Sequence, residues 1–197
     1  RLRPSGNSGL LVSSFSAFER YQLQEAWTWE HQALSRARAV AGDTRLAEAF
    51  QAIRLNVLSL PRGKAALADE VQSMRGKMRE NLDTDIKGDS FNLKHGFGGI
   101  VDIEFMVQYA LLALSASYPS LAEYTDNIRQ LDALASSGLI STETANELSQ
   151  AYLAYRSATH ECALQEEPAK VSGTQWNKHR QAVGQIWRDW FNSKRWE

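Results

Sequence analysis

A short segment between Lys94 and Asp102 combines a cation, three closely spaced glycines and a carboxylate. Gly96, Gly98 and Gly99 allow the backbone to turn left-handed and to approach another group closely. An apolar run follows at once, so the loop opens a helix and can direct free N–H groups and the positive end of the helix dipole toward one point. The segment therefore predicts a binding site for phosphate or another anion.

The helix after this loop carries Asp102, Glu104 and Gln108 among residues that are otherwise apolar on every side. Such a helix lies inside a fold, and a buried carboxylate needs a cation, a donor or a proton. At about 100° per residue, Glu104 and Gln108 share a face and Asp102 points the other way. We predict that Asp102 faces the anion, with a metal ion or an arginine such as Arg38 between them, and that Glu104 holds the helices together. Alternatively, Asp102 only balances the helix dipole and Glu104 pairs with a structural arginine.

Charged residues in the first forty positions supply further candidates. Arg1 and Arg3 alternate with an apolar residue, so in a strand both guanidinium groups point to one side. Together they could hold a triphosphate or carboxylates, or they could form a solvated edge. Glu30, Arg36 and Arg38 lie in a tryptophan-rich helix. They either line the same pocket as the glycine loop or carry surface charge beside an aromatic core.

Stop and start signals divide the chain into about seven helices. Ser16 and Glu19 form a capping-box pattern, and Gly42 follows the end of that helix. Asp126 and Ser141 are predicted N-caps, and Gly138 marks a helix end. The expected helices span about 16–40, 44–60, 64–82, 100 onward, 126–138, 141–167 and 174 onward. Residues 1–14 carry turn residues and a short apolar run that could be a strand.

Several apolar stripes are more typical of core than of a binding surface. Met74 and Met78 continue a stripe on the third helix, and Trp187, Trp190 and Phe191 share a face of the last. Cys162 lies on an apolar stripe as well, which predicts a buried small residue rather than a nucleophile. For the last helix, a groove for a partner remains the alternative.

The polar segment 83–89 begins like a calcium-binding loop, with Asp83, Asp85 and Gly88 at suitable spacing. However, Lys87 and Lys94 fall at positions where such a loop requires oxygen ligands. We therefore predict a polar connection and no calcium site.

Composition describes an ordinary folded protein. The chain has 197 residues, 43% of them hydrophobic and 23% charged, with a net charge of −1. This balance provides no overall basic field for nucleic acid or an anionic membrane, and no apolar run is long enough to span a bilayer. A single cysteine excludes an internal disulfide. We expect a cytoplasmic protein, and the absence of an initiator methionine indicates a piece of a longer polypeptide.

Three segments carry a resemblance to a known family. The sequence KHGFGGIVDIEF from Lys94 to Phe105 resembles the signature of the helical domain that follows the nucleotidyltransferase core in the bacterial nitrogen-control enzymes, glutamine synthetase adenylyltransferase and PII uridylyltransferase. The segment RLRPSGNSG at 1–9 resembles the end of that core. The segment WTWEHQALSRAR at 27–38 is similar to the adenylyltransferase branch in particular.

The resemblance implies an all-α bundle over 15–197, preceded at 1–14 by the remnant of an α/β nucleotidyltransferase core. It also implies transfer of AMP from ATP to a tyrosine of glutamine synthetase, with Mg²⁺ held by core carboxylates that would precede Arg1. The implied partners are glutamine synthetase and the PII signalling protein. The implied nucleotide-site residues are Arg1, Arg3, Lys94, Gly96, Gly98, Gly99 and Asp102, with Glu30, Arg36, Arg38 and Glu104 lining the pocket. A uridylyltransferase domain and a regulatory interaction module are the alternatives.

Overall fold

The computed structural model describes residue 9 and residues 11–82, 90–172 and 174–192. In these residues the fold is a helical bundle with one small sheet, which confirms the predicted fold class. The described part contains eight α-helices, one more than predicted: α1 Phe15–Gln24, α2 Thr28–Leu34, α3 Thr44–Leu58, α4 Lys64–Leu82, α5 Ile100–Leu114, α6 Asn127–Ser136, α7 Thr142–Leu164 and α8 Asn177–Asn192.

Polar side chains begin several of these helices. The side chains of Asp126 and Ser141 accept backbone hydrogen bonds at the starts of α6 and α7, as predicted. Gly138, just after α6, has a φ of +69° and ends that helix in the left-handed region. The cap of α1 is Ser14, which accepts from the Ala17 N–H at 3.2 Å. The predicted cap at Ser16 was therefore wrong by two residues.

The long helix predicted over 16–40 is two helices, and this is where the extra helix arises. The Glu30 carboxylate accepts hydrogen bonds from the Trp27 N–H at 3.0 Å and from the Tyr21 hydroxyl at 2.9 Å. These bonds cap the start of α2 and hold it against the end of α1. Glutamate is also common inside helices, but here Glu30 marks the point where one helix ends and the next begins. The second helix then ends at Leu34 rather than near Val40.

Helix α5 lies at the centre of the bundle. Every residue from Ile100 to Leu114 is buried except Glu104, and α2, α4, α6, α7 and α8 pack around it. The aromatic face of α8, including Trp187, Trp190 and Phe191, is buried in the same core. The aromatic stripe of α8 therefore belongs to the core, as predicted. Met74 and Met78 are half-buried against it and only partly covered. Cys162 is also half-buried, rather than buried as predicted.

Two short antiparallel strands hold the approach to α5. Strand β1, Ser90–Asn92, pairs with β2, Lys170–Ser172, with Phe91 opposite Val171. The Leu93 N–H extends this pairing by donating to the Ala169 carbonyl at 3.0 Å. The ladder therefore ties the chain entering the glycine loop to the connection between α7 and α8.

A second, smaller cluster packs α1, α2 and α3 together through Phe18, Leu34, Ile53 and Val57. Beside it lies Arg54, whose side chain is fully buried. Its guanidinium donates to four backbone carbonyls, those of Leu34, Ser35, Ala122 and Tyr124, at 2.5 to 3.3 Å. Desolvation by burial lowers the pKa of Arg54 to about 10, so the group stays charged at neutral pH.

Some sequence predictions fall on residues that are not described. Arg1, Arg3 and most of the proposed strand and core remnant at 1–14, together with the polar segment 83–89, lie outside the described residues. Leu11 and Val12 are described; both are exposed and neither lies in a strand. Among the described helices, none combines the length and the apolarity that crossing a bilayer requires.

Candidate functional site

The glycine loop is closed on itself, which differs from the prediction of free N–H groups. The Lys94 and His95 N–H groups donate to the Asn92 side chain at 3.1 and 2.9 Å. Further along, the Gly96 N–H donates to the Asn92 carbonyl and the Gly99 N–H to the Gly96 carbonyl. The first N–H groups of α5 bond to the carbonyls of residues 93, 94 and 99. These donors are already used, so the loop does not present the predicted phosphate cradle.

The loop contains three glycines because the backbone is crowded at each of them. A Cβ on Gly96 would lie 2.6 Å from the Asn92 carbonyl oxygen, and one on Gly99 would lie 2.7 Å from that of Leu93. Gly98 has a φ of +80°, and a Cβ there would lie 2.5 Å from the Arg180 carbonyl oxygen on α8. The glycines therefore serve close packing of the loop against itself and against α8.

Asp102 lies in the interior rather than facing a ligand. Its carboxylate is fully buried and accepts from Arg75 Nε at 2.6 Å and from Arg79 Nη2 at 3.1 Å. Its second oxygen accepts from the Gly98 N–H at 2.7 Å. The Asp102 carboxylate thus lies at the helix start, where the sequence predicted a bound anion. Both of its oxygens accept hydrogen bonds from the protein. The geometry gives Asp102 the role of holding the loop to α4.

Arg75 extends this connection to the loop backbone. Its side chain, also fully buried, donates from Nη2 to the His95 carbonyl at 2.8 Å. The guanidinium of Arg79 lies 4.9 Å from the centre of the Phe97 ring, in cation–π geometry. Helix α4 therefore fixes the loop through one ion-pair cluster, consisting of Arg75, Arg79 and Asp102.

Glu104 points to the other side of α5, as the helical wheel predicts. Its carboxylate pairs with Arg36 and accepts a hydrogen bond from the Tyr152 hydroxyl at 3.3 Å. Burial is the largest single cause acting on the pKa of Arg36 and lowers it, but the charge of Glu104, its hydrogen bond and the interaction with Tyr152 together outweigh burial, so the pKa is raised. The pair joins the chain just after α2 to α5 and α7, and it remains partly accessible, with 33% of the Arg36 side chain exposed.

The remaining predicted site residues have different environments, and Asp102 pairs with Arg75 and Arg79 rather than with Arg38 as predicted. Lys94 and Arg38 are exposed, and Glu30 is buried as the cap of α2. Sequence reasoning missed Arg75 and Arg79 altogether. Their spacing of four residues places both on one face of α4, and this pairing was the available signal that they share a buried carboxylate.

A histidine and an arginine form a second polar contact beside the tryptophans. His31 Nε2 lies 2.8 Å from the Gln22 carbonyl oxygen, so this nitrogen carries the proton, and Nδ1 then accepts from Arg62 Nη2 at 3.3 Å. Burial is the largest cause that lowers the pKa of His31, and the Arg62 charge lowers it further, against the Gln22 hydrogen bond and Glu30. His31 is therefore neutral at neutral pH.

Two family models match the chain. The model described as GlnD PII-uridylyltransferase matches residues 72–171, just over half of the chain, including the glycine loop and α5. The model described as Glutamate-ammonia ligase adenylyltransferase matches residues 1–53, including α1 and α2. The fold is a helical bundle built around α5, and both matching models describe nucleotidyltransferases. The chain is therefore a helical region of the nucleotidyltransferase class.

Similarity to curated proteins indicates the family more narrowly than the two family models do. The bifunctional glutamine synthetase adenylyltransferase/adenylyl-removing enzyme of Pseudomonas aeruginosa is 54% identical over 200 residues, covering 96% of this chain and 20% of the relative. The enzyme of the same name from Nitrosococcus oceani is 52% identical, covering 95% of this chain and 19% of the relative. That of Acinetobacter baylyi is 46% identical, covering 95% and 21%. The chain belongs to the glutamine synthetase adenylyltransferase family and spans about one fifth of the length of these relatives.

Proposed function

We propose that this chain is the helical region of an enzyme that transfers AMP from ATP to a tyrosine of glutamine synthetase and so regulates nitrogen assimilation. One observation carries the proposal: the chain is 54% identical, over 96% of its length, to an enzyme whose name states glutamine synthetase adenylyltransferase. Relatives at this level favour the adenylyltransferase over the uridylyltransferase alternative. We further propose that residues 15–197 form one helical domain and that residues 1–14 belong to the preceding core.

The geometry supports a positioning role for this region. The loop from Lys94 to Gly99 is fixed by its own backbone hydrogen bonds and by Asp102 with Arg75 and Arg79. A rigid loop can hold an exposed side chain such as that of Lys94 at a constant place, which is what a group that binds phosphate requires. We therefore propose Lys94 as the nucleotide contact from this loop, with Arg1, Arg3 and Arg38 as further cationic candidates.

The described residues do not supply a metal site. They contain no group of three or more His, Cys, Asp or Glu side chains that could hold a metal ion. The Mg²⁺ that accompanies ATP in adenylyl transfer is proposed to bind carboxylates elsewhere in the longer enzyme, and no step assigned to the described residues depends on it. Glutamine synthetase is the proposed protein substrate, and the PII signalling protein is a further proposed partner.

The test is whether the 197-residue chain labels glutamine synthetase by itself. We expect no transfer of label when the chain is incubated with glutamine synthetase, Mg²⁺ and ATP labelled in its α-phosphate. Phosphoryl-type transfer requires metal-binding carboxylates, the described residues hold no such group, and we propose that these carboxylates lie elsewhere in the longer enzyme. The longer enzyme, from which this chain would be one region, should label a tyrosine under the same conditions.

Two controls make the outcome decisive. Replacing ATP with UTP in the assay of the longer enzyme distinguishes adenylyl from uridylyl transfer. Replacing Lys94 with alanine in that enzyme should weaken nucleotide binding or turnover without changing its melting temperature, since the side chain is exposed. Labelling by the short chain would contradict the assignment of the missing carboxylates, and preference for UTP would contradict the adenylyltransferase function.

A further inference from the structure

A groove between α2 and α4 is lined by two exposed tryptophans. Trp27 is 70% exposed and Trp29 is 40% exposed, although both are large and apolar. They line one wall of a hollow of about 660 Å³, whose other wall is the face of α4 around Asp69 and Met74. Adjacent exposed tryptophans are costly to leave in water and are enriched where proteins bind one another.

The groove continues toward the core as a more apolar hollow. This second part, about 240 Å³, shares Trp29 and Met74 with the first and adds Met78 and Phe105. Its inner end is closed by the hydrogen bond from the Gln32 side chain to that of Gln108, at 3.2 Å. The groove therefore offers an apolar end, where an aliphatic or aromatic side chain could be buried.

Its outer rim is acidic. Glu25, Asp69 and Glu70 contribute three carboxylates, against the single ammonium of Lys77. Such a rim repels phosphate and nucleic acid, and it attracts arginine and lysine. The tryptophan rings beside it can also bind a guanidinium or ammonium group over their faces.

The groove is held in shape before anything binds. The Thr28 hydroxyl donates to the Glu70 carboxylate and joins the start of α2 to α4. The Glu30 carboxylate fixes the backbone of Trp27. These bonds fix the backbone at the start of α2 against α4, so less conformational entropy is lost on binding, which favours recognition of a specific segment.

From these observations we propose that the α2–α4 groove docks a segment of a partner protein that carries arginine or lysine next to an apolar side chain. The apolar side chain lies against Met74, Met78 and Phe105, and the cation lies between the tryptophans and the acidic rim. This inference goes beyond adenylyl transfer and does not depend on it.

The test uses the 197-residue chain as bait for a random peptide library displayed on phage. Enriched peptides should carry Arg or Lys beside Leu, Ile, Met or Phe. After synthesis, their affinity should fall at least about tenfold for the double variant Trp27→Ala, Trp29→Ala, the loss typical of removing central aromatic anchors. Replacing Asp69 with lysine should also weaken binding and reduce its dependence on salt.

A matched control removes an exposed apolar side chain outside the groove. Leu164→Ala, at the end of α7 and 85% exposed, should leave peptide affinity unchanged, and melting curves establish that every variant is folded. Enrichment of acidic peptides, no enrichment at all, or equal binding by the tryptophan variant would overturn the proposal. Concentration-dependent dimerisation that disappears in the tryptophan variant would assign the groove to a second copy and would also overturn it.

Discussion

At the scale of single residues, Asp102 and Glu104 form a natural comparison on one helix. Both are carboxylates paired with arginine, but Asp102 is fully buried with two guanidinium groups, whereas the Glu104 side chain is 19% exposed with one. The sequence-based prediction gave Asp102 the ligand-binding role and Glu104 the structural role. The structure leads us to expect the larger effect on stability at Asp102.

Replacing Asp102 with asparagine should therefore destabilise the protein by about 3 kcal/mol, because breaking a buried pair leaves the fully buried Arg75 without its counter-charge. Glu104→Gln should cost about 1 kcal/mol or less, since the pair is partly exposed to solvent. Urea denaturation of both variants measures the difference. A larger loss for Glu104→Gln would show that the buried cluster does not hold the loop.

A pH dependence is expected at His31. Its pKa is lowered in the folded protein, so between its ordinary value of about 6.5 and the lower folded value the unfolded chain binds more protons. Stability from this group is therefore complete above about pH 6.5 and declines as the pH falls below it. Unfolding free energies measured from neutral pH down to about pH 5 should show this decline, before most carboxylates titrate.

The variant His31→Asn should flatten this part of the curve, because it removes the titrating group. Leu164→Asn, at an exposed position at the end of α7, should leave the slope as it is, because it changes no titrating group. Equal slopes in the original protein and in His31→Asn would assign the decline to other groups.

At the scale of elements, the glycine loop and α8 fit together through Gly98. Gly98→Ala places a Cβ against the Arg180 backbone in a left-handed conformation, and we expect a loss of at least about 2 kcal/mol. Gly76→Ala is the matched control: it lies inside α4 with nothing within 4 Å of the new Cβ. It should stabilise by about 0.5 to 1 kcal/mol through helix propensity. Thermal or urea unfolding tests both, and equal effects of the two variants would contradict the packing argument.

At the scale of the whole molecule, Arg54 joins the part built from α1, α2 and α3 to the 3-10 turn at Pro119–Ala122 beside the main core. Replacing it with leucine removes all four of these hydrogen bonds; the Ser35 and Tyr124 carbonyls keep a donor from Gln130, and the Leu34 carbonyl keeps the Ala37 N–H. We expect a loss on the order of 3 kcal/mol. Arg54→Lys should be intermediate, since an ammonium cannot reproduce the forked geometry of a guanidinium.

The measurement is urea denaturation, combined with hydrogen exchange of the amides in α1 and α3. Those amides should lose more protection than the amides of α5, which lies in the main cluster. Arg45→Leu, at an exposed position near the start of the same helix, should change neither. Uniform loss of protection across the molecule would show that Arg54 does not act as a connection between the two parts.

The helices that the sequence predicted best are those with local signals. Asp126, Ser141 and Gly138 act through hydrogen bonds and backbone angles within a few residues of themselves, so their roles follow from sequence spacing. The all-round apolar pattern of α5 likewise required a central position. The break between α1 and α2 was missed because Glu30 accepts from two places. The bond from the Trp27 N–H is local, but the bond from Tyr21, nine residues away, is one that no local pattern indicates.

The same distinction explains the candidate site. Sequence alone determined that Gly96, Gly98 and Gly99 form a tight loop at the start of α5, and that Asp102 and Glu104 point to opposite sides, because both follow from glycine freedom and helical periodicity. Only the tertiary structure decided which groups meet them. Arg75 and Arg79 lie on α4 and form ion pairs with Asp102. The backbone of Arg180 on α8 leaves no space for a Cβ at position 98. These partners are distant in the sequence, so no local pattern indicates them. Because a buried carboxylate is costly without a partner, the burial of Asp102 required one of them to pair with it.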